Sequence, residues 1–149
     1  KFAEEKGVKI EALVGDARNF EVIGKQDAII ASCLFHYFSR AEDLELIERM
    51  KANTKEGGLN TLYVITKEGD FYKENPETDN FYPKPGEIKE YYKDWEILEF
   101  TSENRPAHKK RPDGSPMMNL SEGWELKIRD GTYKDLDKFP IDDRKRLLK

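Results

Sequence analysis

Three short apolar runs, two of them separated by an amphipathic segment, set the strongest constraint on how this chain can fold. The runs cover residues 8–14, 27–35 and 59–66. Between the second and third, Leu44, Ile47 and Met50 recur at helical spacing, which predicts a helix over residues 41–52. The second run does not alternate in polarity, which is typical of a strand buried on both faces. The order strand, loop, strand, helix, strand predicts a doubly wound α/β sheet.

The rest of the chain predicts an antiparallel addition to that sheet. Residues 67–85 are polar and aromatic and indicate a long ordered loop or lid, whose aromatic side chains cover surface. A short helix is expected over residues 84–92, a strand over residues 95–101, a basic turn over residues 102–116, and a last strand over residues 120–129. We therefore expect a mostly parallel sheet with an antiparallel C-terminal hairpin.

The two ends of the chain carry expectations of their own. Residues 1–6 resemble the end of a helix that stops at Gly7, so we expect the domain to be N-terminally incomplete. Residues 131–149 form a charged tail, with a short helix expected after Pro140. The predicted organisation is thus a partial domain over residues 1–130 followed by a tail over residues 131–149.

Composition excludes several classes of function. A chain of 149 residues with 38% charged residues is expected to form one soluble domain, and no apolar stretch approaches the roughly 18 residues of a membrane span. The net charge of -4 argues against a nucleic-acid partner. The single cysteine, Cys33, rules out a disulfide framework, fits a reducing cytoplasm, and leaves no cysteine-based zinc site. We expect no metal.

Ligands of open α/β sheets bind beyond the carboxyl ends of the strands, and this rule selects candidate site residues. A carboxylate followed by a small residue can accept from the exocyclic amine of adenine while the next N–H donates to the ring. Asp16 and Ala17 fit that pattern after the first run; alternatively, Asp16 caps the following turn. The second run delivers four further candidates to the same edge, namely Ser32, Cys33, Leu34 and His36.

Two blocks of sequence resemble a known family. The stretch G-D-A-R-N-F after one run, followed by D-A-I-I-A-S-C-L-F-H-Y-F and a helix ending in K-E-G-G, resembles class I S-adenosylmethionine-dependent methyltransferases. The blocks P-G-E-I-K-E-Y-Y-K-D-W-E-I-L-E-F and H-K-K-R-P-D-G resemble the tellurite-resistance methyltransferases within that class. The resemblance covers most of residues 1–130. The family's glycine-rich loop and the acidic residue that holds the ribose are absent, so we expect the isolated fragment to be inactive.

The resemblance implies a Rossmann-like fold and a reaction. S-adenosylmethionine would be the methyl donor, and the acceptor a small molecule, a tellurite- or selenite-type oxyanion or another small soft nucleophile. Asp16 and Ala17 would contact adenine, while Ser32, Cys33 and Leu34 would line the cofactor side of the site. His36 and His108 are the catalytic candidates, and His108 with Lys109 would hold the substrate.

Each of these assignments has an alternative. His36 could instead pack between Phe35 and Tyr37, and the position of Cys33 in an apolar run favours a small core residue over a reactive thiolate. The cluster from His108 to Arg111 could be a solvated turn, because Pro-Asp-Gly follows it. The whole chain could be a non-catalytic Rossmann-like binding module, or act on a small organic acceptor.

Overall fold

The computed structural model describes residues 2–20 and 24–128. Its helices are α1 (Phe2–Glu5), α2 (Arg40–Asn53), α3 (Asp70–Lys73) and α4 (Ile88–Tyr91), with one turn of 3₁₀ helix at Phe35–Tyr37. Its strands are β1 (Gln26–Ser32), β2 (Thr54–Ile65), β3 (Trp95–Lys110) and β4 (Pro116–Ile128). The longest of these helices, α2, has 14 residues, and none of them is long and apolar enough to cross a membrane.

The four strands form one mixed sheet in the order β1-β2-β4-β3. β1 and β2 are parallel, whereas β2 pairs with β4, and β4 with β3, in antiparallel fashion. The α/β character and the antiparallel hairpin are therefore confirmed. The expectation of a mostly parallel sheet is not met within the described residues, where one pair of three is parallel.

The prediction of a strand over residues 8–14 is wrong for the described structure. This segment has no regular secondary structure and pairs with no strand among the described residues, and its apolar side chains, including Ile10 and Leu13, are exposed. A strand needs a neighbour for its backbone N–H and C=O groups, and an apolar run does not supply one by itself. The helix before it ends as expected, with Gly7 in the left-handed region at φ 64°.

β1 is shorter and less buried than residues 27–35 predict. The strand stops at Ser32 because Cys33 adopts φ 51°, a left-handed conformation, while the Cys33 N–H still donates to the Tyr63 carbonyl at 2.9 Å. Of the β1 residues, only Ala31 is buried. The expectation of burial on both faces is therefore wrong for β1, which lies at the edge of the described sheet.

α2 confirms the helix expected over residues 41–52. Ser39 begins it with a capping box, in which Glu42 N–H donates to the Ser39 hydroxyl and the Glu42 carboxylate accepts from Ser39 N–H. Ile47 and Met50 face the sheet. They join a core of buried side chains from the helices and from the inner face of the sheet, which comprises Ala31, Phe35, Ile47, Met50, Leu62, Val64, Phe81, Ile88, Tyr92, Trp95, Trp124 and Leu126.

The hairpin of β3 and β4 is longer than the sequence predicts. The turn expected over residues 102–116 shrinks to residues 111–115, closed by a hydrogen bond from Arg111 N–H to the Ser115 carbonyl at 3.0 Å. Residues 102–106 stay in register with β4, as in the pair Asn104–Leu120. The helix expected over residues 84–92 is confirmed only at α4. The tail over residues 131–149 and the end of the strand predicted to residue 129 lie outside the described residues.

Candidate functional site

A cavity of about 890 Å³ opens at the carboxyl ends of the parallel pair β1 and β2. The end of β1, the loop that carries α3, and the far half of the hairpin form its walls. It brings together five residues that the sequence selected from two distant stretches: Ser32, Cys33, His36, His108 and Lys109. The volume lies in the range of about 300–1,000 Å³ that is typical of organic-ligand pockets.

Cys33 faces this cavity and is exposed, so the expectation that it is a small core residue is wrong. The sequence placed it inside an apolar strand, but Cys33 adopts a left-handed conformation and the strand ends at Ser32, the residue before it. Cys33 keeps one backbone hydrogen bond to Tyr63 of β2, but its side chain is exposed and lines the cavity. The thiol is thereby available at the mouth of the cavity.

His36 lies in the wall of the cavity and is only 8% exposed. Its ring lies 4.2 Å from Tyr37, 6.0 Å from Tyr82 and 6.5 Å from Phe71, measured between ring centroids. Its Nδ1 is buried and has no hydrogen-bond partner among the described residues. Burial lowers the pKa of the imidazole, so the ring is kept neutral. His36 thus packs against the rings of Tyr37, Phe71 and Tyr82 and also borders the cavity, and its catalytic role stays a prediction.

α3 contributes Phe71 to the wall beside His36 and is fixed to the hairpin. Phe71 N–H donates to Asn119 Oδ1 at 3.1 Å, and the Arg111 guanidinium donates to the Asp70 carboxylate at 2.7 Å. Gly69 approaches Asn119 so closely that an added Cβ would lie 2.6 Å from its Oδ1. The loop over residues 67–85 is thus ordered, as the sequence predicted.

The basic cluster of residues 108–111 is divided by the hairpin. His108 and Lys109 line the cavity, whereas Arg111 is committed to Asp70, to Glu74 and to the Pro116 carbonyl. Lys110 is not among the cavity residues. Residues 105–109 all line the cavity, where the pairing of β3 with β4 is irregular, and the division falls where β3 ends and the turn begins.

Arg105 lines the same cavity and was missed by sequence reasoning, which assigned it to a turn. Its Nε donates to the Glu103 carboxylate at 2.8 Å, and its guanidinium carbon lies 5.8 Å from the centroid of the Tyr63 ring. No alternation of apolar and polar residues continues past residue 101, so the sequence carries no signal that would have identified Arg105. The residues lining the cavity, all from the described part of the chain, include no Asp or Glu.

The other predicted cofactor residues lie outside the cavity. Asp16 caps its own turn: Arg18 N–H donates to Asp16 Oδ1 at 2.9 Å, and the Arg18 side chain binds both carboxylate oxygens. That pairing holds the pKa of Asp16 at about 2. The Arg18 guanidinium also reaches Glu42 in the first turn of α2. The turn therefore lies beside the N-terminal end of α2, and the contact of Asp16 with adenine stays a prediction.

Ala17 and Leu34 occupy structural positions. The Ala17 carbonyl accepts from the Arg49 guanidinium at 3.1 Å, and Leu34 packs against the hydrophobic core. Their assignment to the cofactor side stays a prediction as well. Within residues 2–20 and 24–128, no three His, Cys, Asp or Glu side chains are grouped so that they could hold a metal ion.

Comparison with known proteins identifies relatives for most of the chain. The family model described as tellurite resistance protein TehB matches residues 1–119. A curated relative from Haemophilus influenzae, named as a probable S-adenosyl-L-methionine-dependent methyltransferase TehB, is 28% identical over 112 residues, which are 75% of this chain and 38% of the relative. The chain thus spans well under half the length of that relative.

Solved structures show the same fold. The crystal structure of TehB from Haemophilus influenzae matches with a TM-score of 0.70 at 23% identity, covering 86% of this chain and 44% of that one. The N-methyltransferase NodS from Bradyrhizobium japonicum WM9, solved with S-adenosyl-L-homocysteine, matches with a TM-score of 0.54 at 11% identity, covering 77% of this chain and 52% of that one. At these identities the likeness shows the fold alone, which is the Rossmann-like fold of methyltransferases.

Proposed function

Because this chain belongs to the tellurite resistance protein TehB family, we propose that it takes part in S-adenosylmethionine-dependent methyl transfer to a small acceptor. The observation that carries the proposal is the cavity, in which Ser32, Cys33 and His36 at and after the end of β1 meet residues 108 and 109 from the hairpin. These two stretches are far apart in sequence, yet both were selected for the same site before their positions were known.

The cofactor side of the site is assigned to residues at the end of β1 and in the turn beside α2. Ser32 and Cys33 border the cavity, Leu34 supports them from the core, and Asp16 with Ala17 would contact adenine. The aromatic rings around the cavity fit a sulfonium ligand, because the faces of aromatic rings attract cations. When bound, the cofactor would supply an activated methyl group on that sulfonium.

The acceptor side is assigned to the hairpin and to His36. Lys109 and His108 would bind a negatively charged acceptor of the tellurite or selenite type, because charge-assisted hydrogen bonds hold oxyanions. The neutral His36 would orient the acceptor. Phe71 and Tyr82 would exclude water, which favours methyl transfer because the charge of the sulfonium disappears as the acceptor attacks. Another small soft nucleophile would use the same position.

The setting of this activity is part of the proposal. We expect a small-molecule substrate and no nucleic-acid or membrane partner, in keeping with the net charge of -4. We expect a cytoplasmic location, where the single cysteine stays reduced.

The reaction is tested on the polypeptide encoded by the full reading frame that contains this chain. Sodium selenite and S-adenosylmethionine are supplied, and S-adenosylhomocysteine and the methylated selenium oxyanion are both quantified in solution by chromatography. Lys109→Met is expected to lower turnover by about tenfold or more, because a charge-assisted contact is lost. The neighbouring Lys110→Met is the matched control and should leave turnover unchanged. Absence of acceptor-dependent S-adenosylhomocysteine with selenite, tellurite and a panel of thiols would refute the proposal.

The adenine assignment is tested separately by titration calorimetry with S-adenosylhomocysteine. Asp16→Ala is expected to weaken binding by about tenfold or more, since a charge-assisted hydrogen bond is lost. Arg18→Met disrupts the same turn but keeps the carboxylate, so it should bind nearly as the wild type does. Equal losses in the two variants would show that the turn matters and the carboxylate does not.

A further inference from the structure

Arg105 and Glu103 form a charged pair at the edge of the cavity that the proposed function does not use. They are two residues apart on β3, so their side chains emerge on the same face of the strand. Both Nε and Nη2 of Arg105 bind one oxygen of Glu103, at 2.8 and 2.7 Å. Among the described residues, Nη1 has no hydrogen-bond partner. Part of the hydrogen-bonding capacity of the guanidinium is thus used by Glu103, a neighbour on the same strand.

The register of the hairpin directs Arg105 to the cavity. Arg105 lies opposite Asn119 of β4, and Glu103 lies opposite Ser121. Asn119 and Ser121 both line the cavity, as Arg105 itself does. The Tyr63 ring, also in the lining, lies beneath the guanidinium at 5.8 Å. The planar group therefore rests on an aromatic face, with its edge free to contact a ligand.

The charge of the lining favours an anion. Arg105 and Lys109 carry positive charges, and His36 and His108 add imidazole donors, whereas the lining residues, all in the described part of the chain, include no carboxylate. Glu103 is excluded from the lining although it touches a residue that belongs to it. The carboxylate that balances Arg105 thus lies just outside the space where a ligand would bind.

We propose that Arg105 is the principal anion-binding residue of this cavity, and that Glu103 is an internal competitor which an oxyanion or carboxylate ligand displaces from the guanidinium. This inference rests on the proposed function, because it assigns an anionic acceptor to the same site. It adds a residue to His108 and Lys109, and it predicts that removing one acidic side chain improves binding. The two guanidinium donors released from Glu103 match a bidentate oxyanion.

The size of each effect follows from the exposure of the pair. The two side chains are 57% and 50% exposed, and ion pairs of that kind are weak, so Glu103 competes modestly. Glu103→Gln is therefore expected to tighten anion binding by about two- to fivefold. Arg105→Met removes a bidentate charged contact, so it is expected to weaken binding by about ten- to a hundredfold.

The test is a calorimetric titration of the full protein with sodium selenite in the absence of methyl donor. Glu96→Gln removes another exposed carboxylate from β3, and Lys110→Met removes another cation from its far end, so these two variants control for net charge. Both should bind selenite within about twofold of the wild type, apart from a small uniform change that vanishes at high salt. Circular dichroism confirms that each variant is folded.

The expected result is tighter selenite binding by Glu103→Gln and weaker selenite binding by Arg105→Met, with the binding of both controls unchanged. The inference is overturned if Glu103→Gln binds no tighter than the wild type, if Arg105→Met binds as well as the wild type, or if selenite binds to none of the proteins. The proposed function is measured independently by S-adenosylhomocysteine formation with thiol acceptors. Methyl transfer to thiols without selenite binding would refute this inference alone, and the predicted binding pattern without any methyl transfer would refute the proposed function alone.

Discussion

Asp43 should make the stability of this domain fall as the pH rises. The residue lies in the first turns of α2, is 0% exposed, and faces the sheet together with Ile47 and Met50. Neither carboxylate oxygen has a hydrogen-bond partner among the described residues. Burial, with a smaller contribution from the neighbouring Glu42, raises the pKa of Asp43 from about 3.8 to about 8. At neutral pH the folded protein therefore holds a proton that the unfolded chain has released.

The sign and size of the effect follow from proton linkage. Below pH 3.8 Asp43 is protonated in both states and has no effect, whereas between pH 3.8 and 8 only the folded state keeps the proton. In that window the free energy of unfolding falls by about 1.4 kcal/mol for each pH unit, a total of about 6 kcal/mol. Above pH 8 the carboxylate is charged in both states and the decline ends. Such a loss is comparable with the whole stability of a typical domain.

The measurement is urea unfolding of wild type and Asp43→Asn at several values between pH 5.5 and 8. We expect wild type to lose about 3 kcal/mol over two pH units, and the variant to lack that contribution. His36, whose pKa burial lowers, titrates in both proteins and cancels from the difference. Glu45→Gln, which removes an exposed carboxylate from the same helix, should follow wild type. Parallel pH profiles for wild type and Asp43→Asn would refute the argument.

Three further variants test the elements that hold the cavity together. Gly69→Ala places a Cβ 3.0 Å from the Asn119 Cα, so thermal unfolding should show a loss of about 1–3 kcal/mol; an unchanged melting temperature would contradict this. Ser39→Ala removes the cap of α2 and should cost about 1 kcal/mol in urea unfolding, which Ser39→Asp should largely restore. Arg111→Met frees Asp70, so amide exchange in α3 should accelerate while exchange in α2 stays constant; equal rates in α3 before and after the change would show that the ion pair does not anchor it.

Local patterns predicted the parts of the fold whose partners are close in sequence. α2 follows from the spacing of Leu44, Ile47 and Met50, which lie within seven residues of one another. The two strands of the hairpin were also expected, because each carries an apolar pattern and a turn with Pro-Asp-Gly lies between them. These features depend on short-range spacing, which a single sequence displays directly.

Local sequence patterns could not predict which segments pair as strands with partners far away in the sequence. Residues 102–110 contain Pro106 and a run of charged side chains, which are typical of a turn, yet they form the end of β3. An edge strand tolerates proline and charge because one side of it needs no ladder partner. The run at residues 8–14 shows the converse, since it has the composition of a strand but no paired neighbour among the described residues.

The candidate site illustrates how both kinds of information combine. The rule that ligands bind at the carboxyl ends of strands identified Ser32, Cys33 and His36 before their positions were known, although the strand that delivers them ends earlier than expected. The rule did not identify Arg105, because this residue lies in an antiparallel strand. Residues of that strand reach the same edge of the sheet only when the hairpin extends beyond β2. Because β3 runs to Lys110 while β2 ends at Ile65, the extra length of the hairpin places a row of cationic side chains over the end of the parallel pair. The length of β3 therefore determines which charges a ligand in the cavity would meet, and shortening the hairpin at its tip would remove His108 and Lys109 while leaving the core strands paired.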